Sequence, residues 1–312
     1  MSGIVFVFPG QGSQYVGMGQ ELAAHYPEAA AVFQEAEAAL GWPVDRLCFN
    51  GPAEELTRTE NTQPAVLTVS VACCRVLEAR GIKPAAVAGH SLGEYSALVA
   101  AGSLTFREAV KLVAKRAQLM ATAVPAGRGG MVAVLGLESE KVAALCREVK
   151  EGTAEAANFN APGQVVVAGD REGLETLSSL AKEAGARRVV PLQVSGPFHS
   201  SLMAPAAREL AIYLNQIPLE DPRVPVVSNV TADYVYTADQ VRENLIKQVD
   251  SPVRWEESVR RLLAGGYRTF IEVGPGNVLG GLIKRIDRQT IIGQVENLET
   301  LDKTLALLQE AK

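Results

Sequence analysis

The sequence has few aromatic residues and few cysteines, and it has no apolar stretch long enough to cross a membrane. Aromatic residues make up 5% of the 312 residues, whereas 47% are hydrophobic and 21% are charged. This composition is typical of globular proteins and excludes an intrinsically disordered chain. The net charge of −5 argues against a chain that binds nucleic acid or a membrane surface over its whole length. The length predicts one large domain or two of ordinary size.

Cysteine use indicates a reducing compartment. No C-x-x-C pair and no histidine at zinc-ligand spacing accompanies the four cysteines, which are Cys48, Cys73, Cys74 and Cys146. Cys73 and Cys74 lie together in an apolar run, which favours small buried side chains over a reactive pair. We therefore expect a cytoplasmic protein with no metal site and no disulfide.

Three short apolar segments each end in a glycine-containing turn. They are Ile4–Phe8, Ala85–Ala88 and Thr269–Val273, and helix-like periodicity follows each of them. This order is typical of parallel strands in an α/β sheet. Functional sites in such sheets lie beyond the carboxyl ends of the strands, so the three turns are expected to meet at one working face.

The second turn carries a nucleophile motif. Gly89-His90-Ser91-Leu92-Gly93 matches G-x-S-x-G and lies between a strand and an amphipathic segment. Such an elbow exposes the serine hydroxyl at a helix N-terminus, where backbone N–H groups can bind an anion. The alternative is an ordinary loop rich in small residues. The motif predicts an α/β fold with an α/β-hydrolase-like large domain on a short parallel sheet.

The middle of the chain shows a different pattern. Its predicted elements follow the order β-α-β-β-α-β, which is the ferredoxin-like split motif. They are Met131–Leu135, Ser139–Lys150, Ala154–Asn158, Gln164–Ala168, Glu172–Ala184 and Val189–Val194. We expect residues 128–195 to form a small ferredoxin-like domain, inserted into a large catalytic domain of residues 1–127 and 196–312.

A nucleophilic serine needs a general base, and the chain offers three histidines. His25 lies in an amphipathic stretch and is expected to face solvent, and His90 is expected to pack beneath the elbow. His199 follows the last strand of the inserted segment in a loop, which makes it the best candidate. No acid between Ser91 and His199 stands at an obvious strand end, so a backbone or amide carbonyl is an alternative partner for the histidine.

Arg116 stands on the wrong face of its helix for a charged residue. At 100° per residue, it falls within the apolar arc of the segment that begins near Phe106. A buried guanidinium is costly unless it is paired with an anion. One interpretation is an internal salt bridge, for example with Glu94. The other is a bidentate site for a substrate carboxylate, which suits the geometry of arginine.

Taken together, these motifs resemble the malonyl-CoA:acyl carrier protein transacylase family. The matching segments lie in order and span nearly the whole chain. They are Phe8-Pro9-Gly10-Gln11-Gly12-Ser13-Gln14, Gln63-Pro64-Ala65, Gly89-His90-Ser91-Leu92-Gly93-Glu94, Arg116, Pro197-Phe198-His199-Ser200, Gln248 with Pro252-Val253-Arg254-Trp255, and Glu272-Val273-Gly274-Pro275-Gly276. The length is similar to that of the stand-alone bacterial fatty-acid synthesis enzyme.

The resemblance implies a role for each matching position. Ser91 would be the nucleophile and His199 its base, and the backbone N–H groups of Gln11 and Leu92 would form the oxyanion hole. Arg116 would bind the malonyl carboxylate, and the backbone carbonyl of Gln248 would orient His199. Gln63 and Asn160 would line the site, and Phe198 would crowd a methyl branch on the substrate.

The implied reaction moves malonyl from malonyl-CoA to the phosphopantetheine thiol of acyl carrier protein by ping-pong transfer. It needs no cofactor beyond these substrates, and no nucleic acid or membrane takes part. We expect a monomer. The alternatives are a discrete acyltransferase that serves a polyketide synthase, a serine thioesterase or hydrolase, and a non-catalytic carrier-binding protein. Dinucleotide binding is disfavoured because Gly10-Gln11-Gly12-Ser13-Gln14-Tyr15 lacks the last glycine of G-x-G-x-x-G.

Overall fold

The computed structural model describes residues 3–125 and 127–310, so Ala126, just before the predicted inserted domain, lies outside the described residues. Its strands are β1 (Ile4–Phe8), β2 (Ala86–Gly89), β3 (Gly129–Leu135), β4 (Ala154–Ala161), β5 (Gln164–Asp170), β6 (Arg188–Pro191), β7 (Val226–Val227), β8 (Tyr234–Val235), β9 (Thr269–Val273) and β10 (Ile291–Val295).

Of the α-helices, five lie between β1 and β2, and the others lie singly or in pairs between or after the later strands. They are α1 (Gln20–His25), α2 (Pro27–Leu40), α3 (Val44–Asn50), α4 (Ala53–Thr57), α5 (Thr59–Ala79), α6 (Gly93–Ala100), α7 (Phe106–Thr122), α8 (Ser139–Glu148), α9 (Arg171–Glu183), α10 (Ala204–Leu214), α11 (Ala238–Gln248), α12 (Trp255–Ala264), α13 (Val278–Ile286) and α14 (Leu298–Glu310). Within the described ranges, no helix has the length and apolar character to cross a membrane.

A six-stranded sheet carries the three predicted strand–turn segments. Its strand order is β10-β9-β1-β2-β7-β8, and every pairing is parallel except that of β7 with β8. The three central strands β9, β1 and β2 are neighbours, so their carboxyl ends meet at one edge, as predicted. The α/β class is therefore confirmed, with a sheet that is mostly parallel.

Helices cover both faces of this sheet. Phe6 and Phe8 of β1 pack into a core with residues of α2, α5 and α7, whereas Val5 and Val7 pack with residues of α12 and α13 on the other face. Alternate residues of a strand point to opposite faces, so a strand covered on both sides is apolar throughout. The sequence IVFVF of β1 meets this requirement.

A second, four-stranded sheet forms from the middle of the chain. Its order is β4-β5-β3-β6 with antiparallel pairing throughout, and the order of strands and helices along this segment is the predicted one. Helices α8 and α9 cover one face, where Val134, Val165 and Leu177 are fully buried. Met131 and Val166 point to the other face and join the main core.

Strand β4 extends three residues beyond its predicted end at Asn158, where Phe159 and Ala161 continue the pairing with β5. A distant segment pairs with the other edge of β4. The Phe159 N–H donates to the Val253 carbonyl (N···O 2.9 Å), and the Val253 N–H donates to the Ala157 carbonyl (2.8 Å). This pairing partner lies about a hundred residues further along the chain, so local sequence gives no sign of it. The small sheet is thereby joined by main-chain hydrogen bonds to the segment that follows α11.

The two positions that flank the turn between β2 and α6, Gly89 and Gly93, have room for glycine only. A Cβ atom on Gly89 would lie 2.0 Å from the Gly93 carbonyl, and one on Gly93 would lie 2.0 Å from the Phe8 carbonyl oxygen. These contacts are between backbones, so no side-chain movement can relieve them. The helix, its own strand and the neighbouring strand can meet this closely only because both positions lack a side chain.

We expect Gly93→Ala to lower the free energy of unfolding by about 3 kcal/mol or more, since it forces backbones apart. Gly281→Ala is the matched control, because Gly281 is an exposed glycine within α13 and a Cβ there meets no atom within 4 Å. That change should raise stability by about 1 kcal/mol through helix propensity. Urea unfolding of the two variants checks both signs, and a stable Gly93→Ala protein would contradict the packing argument.

Candidate active site

Ser91 lies at the elbow between β2 and α6, with a φ of 53° that residues with side chains rarely adopt. Its backbone N–H donates to Asn229 Oδ1 (2.7 Å), and Asn229 Nδ2 donates to the Gly89 carbonyl (2.6 Å). One asparagine therefore holds both arms of the turn. Asn229 follows β7, whose carboxyl end lies beside that of β2.

His199 contacts the serine hydroxyl directly. Its Nε2 lies 2.7 Å from Ser91 Oγ, and its Nδ1 lies 2.8 Å from the Gln248 carbonyl oxygen. A carbonyl only accepts hydrogen bonds, so Nδ1 must carry the proton and Nε2 must present its lone pair to the serine. The backbone carbonyl stands where a hydrolase triad places a carboxylate.

Burial, together with the nearby Arg116 guanidinium, lowers the pKa of His199 to about 3. Both causes disfavour the imidazolium. His199 is therefore neutral, and able to accept a proton from Ser91, well below the pH at which an exposed imidazole becomes charged. His199 has a φ of 60°, so both members of the pair are held in a left-handed backbone conformation.

Arg116 is 1% exposed, on the inward face that the helix periodicity predicts. Its Nη2 lies 3.2 Å from Ser91 Oγ and 2.9 Å from Gln248 Oε1, and its Nη1 lies 2.7 Å from Gln63 Oε1. Each of these partners is neutral. Burial lowers the pKa of Arg116, as expected for a charge removed from water.

The predicted alternative of a salt bridge between Arg116 and Glu94 is wrong. Within residues 3–125 and 127–310, no carboxylate oxygen lies within 4.0 Å of the Arg116 nitrogens. Its buried Nε–H also has no acceptor there. The side-chain amide of Gln248 separates the two residues, since Gln248 Nε2 donates to Glu94 Oε2 at 2.7 Å. The guanidinium thus keeps both its charge and a free donor.

The two backbone N–H groups named for the oxyanion hole border the same cleft as Ser91. Gln11 follows β1 and Leu92 precedes α6, and both line this cleft. Neither N–H donates to any other part of the described chain. The Gln11 side chain is tied back, with its Nε2 donating to Thr59 Oγ1 at 3.0 Å. Two unpaired donors beside a nucleophile can stabilise a negatively charged oxygen.

The remaining predicted residues also lie at the cleft. Gln63 and Phe198 line it, and both are buried. Asn160 lines it too, and its Oδ1 lies 2.8 Å from His90 Nε2, so it fixes the residue before the nucleophile. His90 is half-buried and also lines the cleft, with its ring centroid 5.8 Å from that of Trp255. His25 is exposed on α1, away from this cleft.

Sequence reasoning missed Asn229 and the contact that Glu94 makes. Asn229 had a usable signal, because it follows the short apolar run Val226–Val227 and so ends a parallel strand. Glu94 was considered only as an ion-pair partner of Arg116, whereas its carboxylate accepts from Gln248 and from the Asn229 N–H (3.2 Å). In the part of the chain that the structure describes, no three His, Cys, Asp or Glu side chains cluster as metal ligands.

The chain is similar over nearly its whole length to proteins with a known activity. Residues 5–303 match the acyl transferase domain family. The malonyl CoA-acyl carrier protein transacylase of Bacillus subtilis (strain 168) is 49% identical over 312 residues, which cover 99% of this chain and 98% of that protein.

The chain is also similar in fold and sequence to solved structures of proteins with this activity in their names. The crystal structure of an acyl carrier protein S-malonyltransferase from Vibrio cholerae has a TM-score of 0.94 and 46% identity, covering 96% of this chain and 99% of that one. A malonyl-transacylase solved in complex with its type II polyketide synthase acyl-carrier protein has a TM-score of 0.95 and 44% identity, covering 98% and 99%. The family predicted from the sequence motifs is therefore confirmed: the chain belongs to the acyl transferase domain family, among the malonyl-CoA:acyl carrier protein transacylases.

Proposed function

We propose that this chain transfers the malonyl group of malonyl-CoA to the phosphopantetheine thiol of acyl carrier protein through a malonyl-Ser91 intermediate. One observation carries the proposal: His199 Nε2 (2.7 Å) and Arg116 Nη2 (3.2 Å) both lie within hydrogen-bonding reach of Ser91 Oγ. The first group activates a nucleophile, and the second binds an acyl group that ends in a carboxylate. The relatives named above carry the same activity in their names.

In the first half-reaction, His199 Nε2 takes the Ser91 proton as Oγ attacks the thioester carbonyl. The carbonyl oxygen becomes an oxyanion that accepts from the N–H groups of Gln11 and Leu92, and one such donor typically contributes ~3–4 kcal/mol. When the C–S bond breaks, protonated His199 gives its proton to the departing thiolate. The low pKa of His199 favours this second proton transfer.

In the second half-reaction, the steps run in reverse with a new thiol. Coenzyme A leaves, and the phosphopantetheine thiol of acyl carrier protein enters the cleft. His199 takes the proton of the thiol as sulfur attacks the malonyl-Ser91 ester, and it returns that proton to Ser91 Oγ when the C–O bond breaks. The enzyme is regenerated, and no cofactor beyond the two substrates takes part.

Arg116 selects for malonyl by leaving a charge unsatisfied when the acyl group is neutral. The side-chain amide oxygens of Gln63 and Gln248 accept from the guanidinium but carry no charge, so its positive charge can pair with the substrate carboxylate. An acetyl group would bury that charge beside a methyl group, a loss that is typically several kcal/mol. Phe198 lines the cleft beside Ser91, where its ring would crowd a branch on the α-carbon of the acyl group.

We also propose a division into two domains. Residues 128–195 form an inserted ferredoxin-like domain, and residues 1–127 with 196–312 form an α/β-hydrolase-like catalytic domain. The separate core of Val134, Val165 and Leu177 beneath α8 and α9 supports the boundary. The cleft takes residues from both parts, so the small domain forms one wall of the site.

The proposed partner is acyl carrier protein, whose acidic surface needs a basic counterpart near the cleft. Arg285 suits this role, because its Nη1 lies 3.0 Å from the Oε1 of Gln164, which lines the cleft. Lys284 is less available, since its ammonium donates to the carbonyls of Arg288 and Thr290. We propose a cytoplasmic monomer that acts in fatty-acid synthesis. The solved complex with a type II polyketide carrier favours polyketide synthesis as a second setting for the same reaction.

The function is tested by acyl transfer with purified components. Wild-type protein incubated with malonyl-CoA should gain the mass of one malonyl group on Ser91 and then lose it to holo-acyl carrier protein. Ser91→Ala should do neither, and Ser179→Ala, which removes an exposed hydroxyl on α9, should behave as wild type. Hydrolysis of malonyl-CoA as fast as its transfer would instead make the protein a thioesterase.

Arg116→Ala should reduce kcat/KM for malonyl-CoA by about 100-fold or more, because a buried charge-assisted pair is lost. Transfer from acetyl-CoA should fall far less, since its methyl group makes no ion pair. The measurement is the ratio of kcat/KM for the two donors with the same carrier protein. An equal loss with both donors would refute the carboxylate role.

The low pKa of His199 predicts that Ser91 stays reactive in acid. An imidazole with an ordinary pKa would be mostly protonated at pH 5 and slow the reaction about 30-fold relative to pH 8. With the pKa near 3, the rate of Ser91 modification by a neutral sulfonyl fluoride should stay nearly flat over this range.

Arg116→Ala should raise the pH below which the rate of Ser91 modification falls, because it removes one of the two causes of the low pKa of His199. Arg116→Lys is the matched control: it keeps the positive charge, so the rate should fall only at low pH, as in the wild type. A wild-type rate that halves near pH 6.5 would contradict the assignment.

A further inference from the structure

Glu94 is a buried carboxylate that the proposed reaction does not use. It lies in the first turn of α6, three residues after the nucleophile, and is 2% exposed. Within the described residues no cationic nitrogen lies within 4.0 Å of it. Its Oε2 accepts hydrogen bonds from two neutral donors, Gln248 Nε2 (2.7 Å) and the Asn229 N–H (3.2 Å). A buried carboxylate so close to a nucleophile needs a reason.

The reason lies in the two unlike ends of the Gln248 side-chain amide. Its Nε2 can only donate, and it faces two acceptors, Glu94 Oε2 and the Ser91 carbonyl (2.9 Å). Its Oε1 can only accept, and it faces Arg116 Nη2 at 2.9 Å. A flipped amide would set an oxygen against the carboxylate and an NH₂ against the guanidinium, so the network allows one orientation only.

This arrangement separates two charges that would otherwise neutralise each other. Were Glu94 bonded directly to Arg116, it would compete with a substrate carboxylate for the guanidinium. Because the Gln248 amide stands between them, Glu94 orients the arginine without occupying it. Gln63 Oε1 holds the other terminal nitrogen, so amide oxygens flank the guanidinium. Its Nε–H has no acceptor in the part of the chain that the structure describes.

We propose that Glu94 is a positioning residue for substrate specificity: it fixes the Gln248 amide so that its oxygen holds Arg116 ready for the carboxylate of the acyl donor. The proposal rests on the proposed malonyl transfer and adds to it the group that sets the selectivity. It assigns two functions to Gln248, whose backbone carbonyl serves His199 and whose side chain serves Arg116.

The test is Glu94→Gln, assayed at pH 8 with malonyl-CoA and acetyl-CoA as donors and holo-acyl carrier protein as acceptor. A glutamine at this position lacks the negative charge that strengthens the bond from Gln248 Nε2, and it can turn its own NH₂ group toward Gln248. The Gln248 amide is then held only by the Ser91 carbonyl and Arg116, and less tightly. We expect kcat/KM for malonyl-CoA to fall about tenfold or more and that for acetyl-CoA to fall less than about threefold. If Glu94 had a purely structural role, kcat/KM would fall by the same factor for both donors.

Glu272→Gln is the matched control. Glu272 is 1% exposed and accepts from the N–H groups of Leu279 and Gly280, and burial raises the pKa of both Glu272 and Glu94 to about 7. Glu272→Gln should leave the ratio of kcat/KM for malonyl-CoA to that for acetyl-CoA unchanged. A ratio that changes as much in Glu272→Gln as in Glu94→Gln would overturn the proposal.

Gln248→Met supplies an independent variant should Glu94→Gln fail to fold, as judged by circular dichroism. It keeps the backbone carbonyl for His199 and removes the amide, so it should reproduce the loss that is specific to malonyl. In that background, Glu94→Gln should change the donor ratio less than about twofold. A full additional loss would show that Glu94 acts by another route. A wild-type enzyme without preference for malonyl would refute the proposed function itself.

Discussion

The site depends on a buried guanidinium that pairs with no carboxylate among residues 3–125 and 127–310. Arg116 is removed from water, yet the partners that it contacts are amide and hydroxyl oxygens. Neutral acceptors reduce the desolvation cost of a charge but do not cancel the charge. This charge adds to the effect of burial in lowering the pKa of His199, and it orients the side-chain oxygens of Gln63 and Gln248.

Strand β4 brings together the three segments that carry the chemistry. Its Asn160 side chain bonds His90, beside the nucleophile. Its Glu155 accepts from the Ser201 N–H (2.9 Å), two residues after His199. Its edge pairs with Val253, five residues after Gln248. The small sheet is thus part of the framework that sets the distances between Ser91, His199 and Gln248, as well as one wall of the cleft.

Local patterns predicted the parts of the fold that are set locally. Apolar runs ended by glycine located β1 and β9 to the residue, and helical periodicity placed Arg116 on the inward face of α7. Three histidines were few enough to choose His199 by elimination. The Gln248 carbonyl and the Gln11 and Leu92 N–H groups came from family resemblance, because backbone groups leave no trace in composition or spacing.

Contacts between distant segments could not be predicted in this way. Glu94 and Gln248 are 154 positions apart, and only the folded chain shows that an amide separates the carboxylate from Arg116. The pairing of the β4 edge with Val253 could not be predicted for the same reason, since Val253 belongs to another part of the sequence.

The left-handed backbone at Ser91 and His199 has a consequence for the evolution of this protein. Residues with side chains lose about 1–3 kcal/mol in such conformations, and glycine would relieve much of this at either position. Glycine would also remove the hydroxyl or the imidazole. Selection for stability and selection for activity therefore oppose each other at Ser91 and His199. Keeping the two side chains costs the protein stability that glycine at these positions would restore.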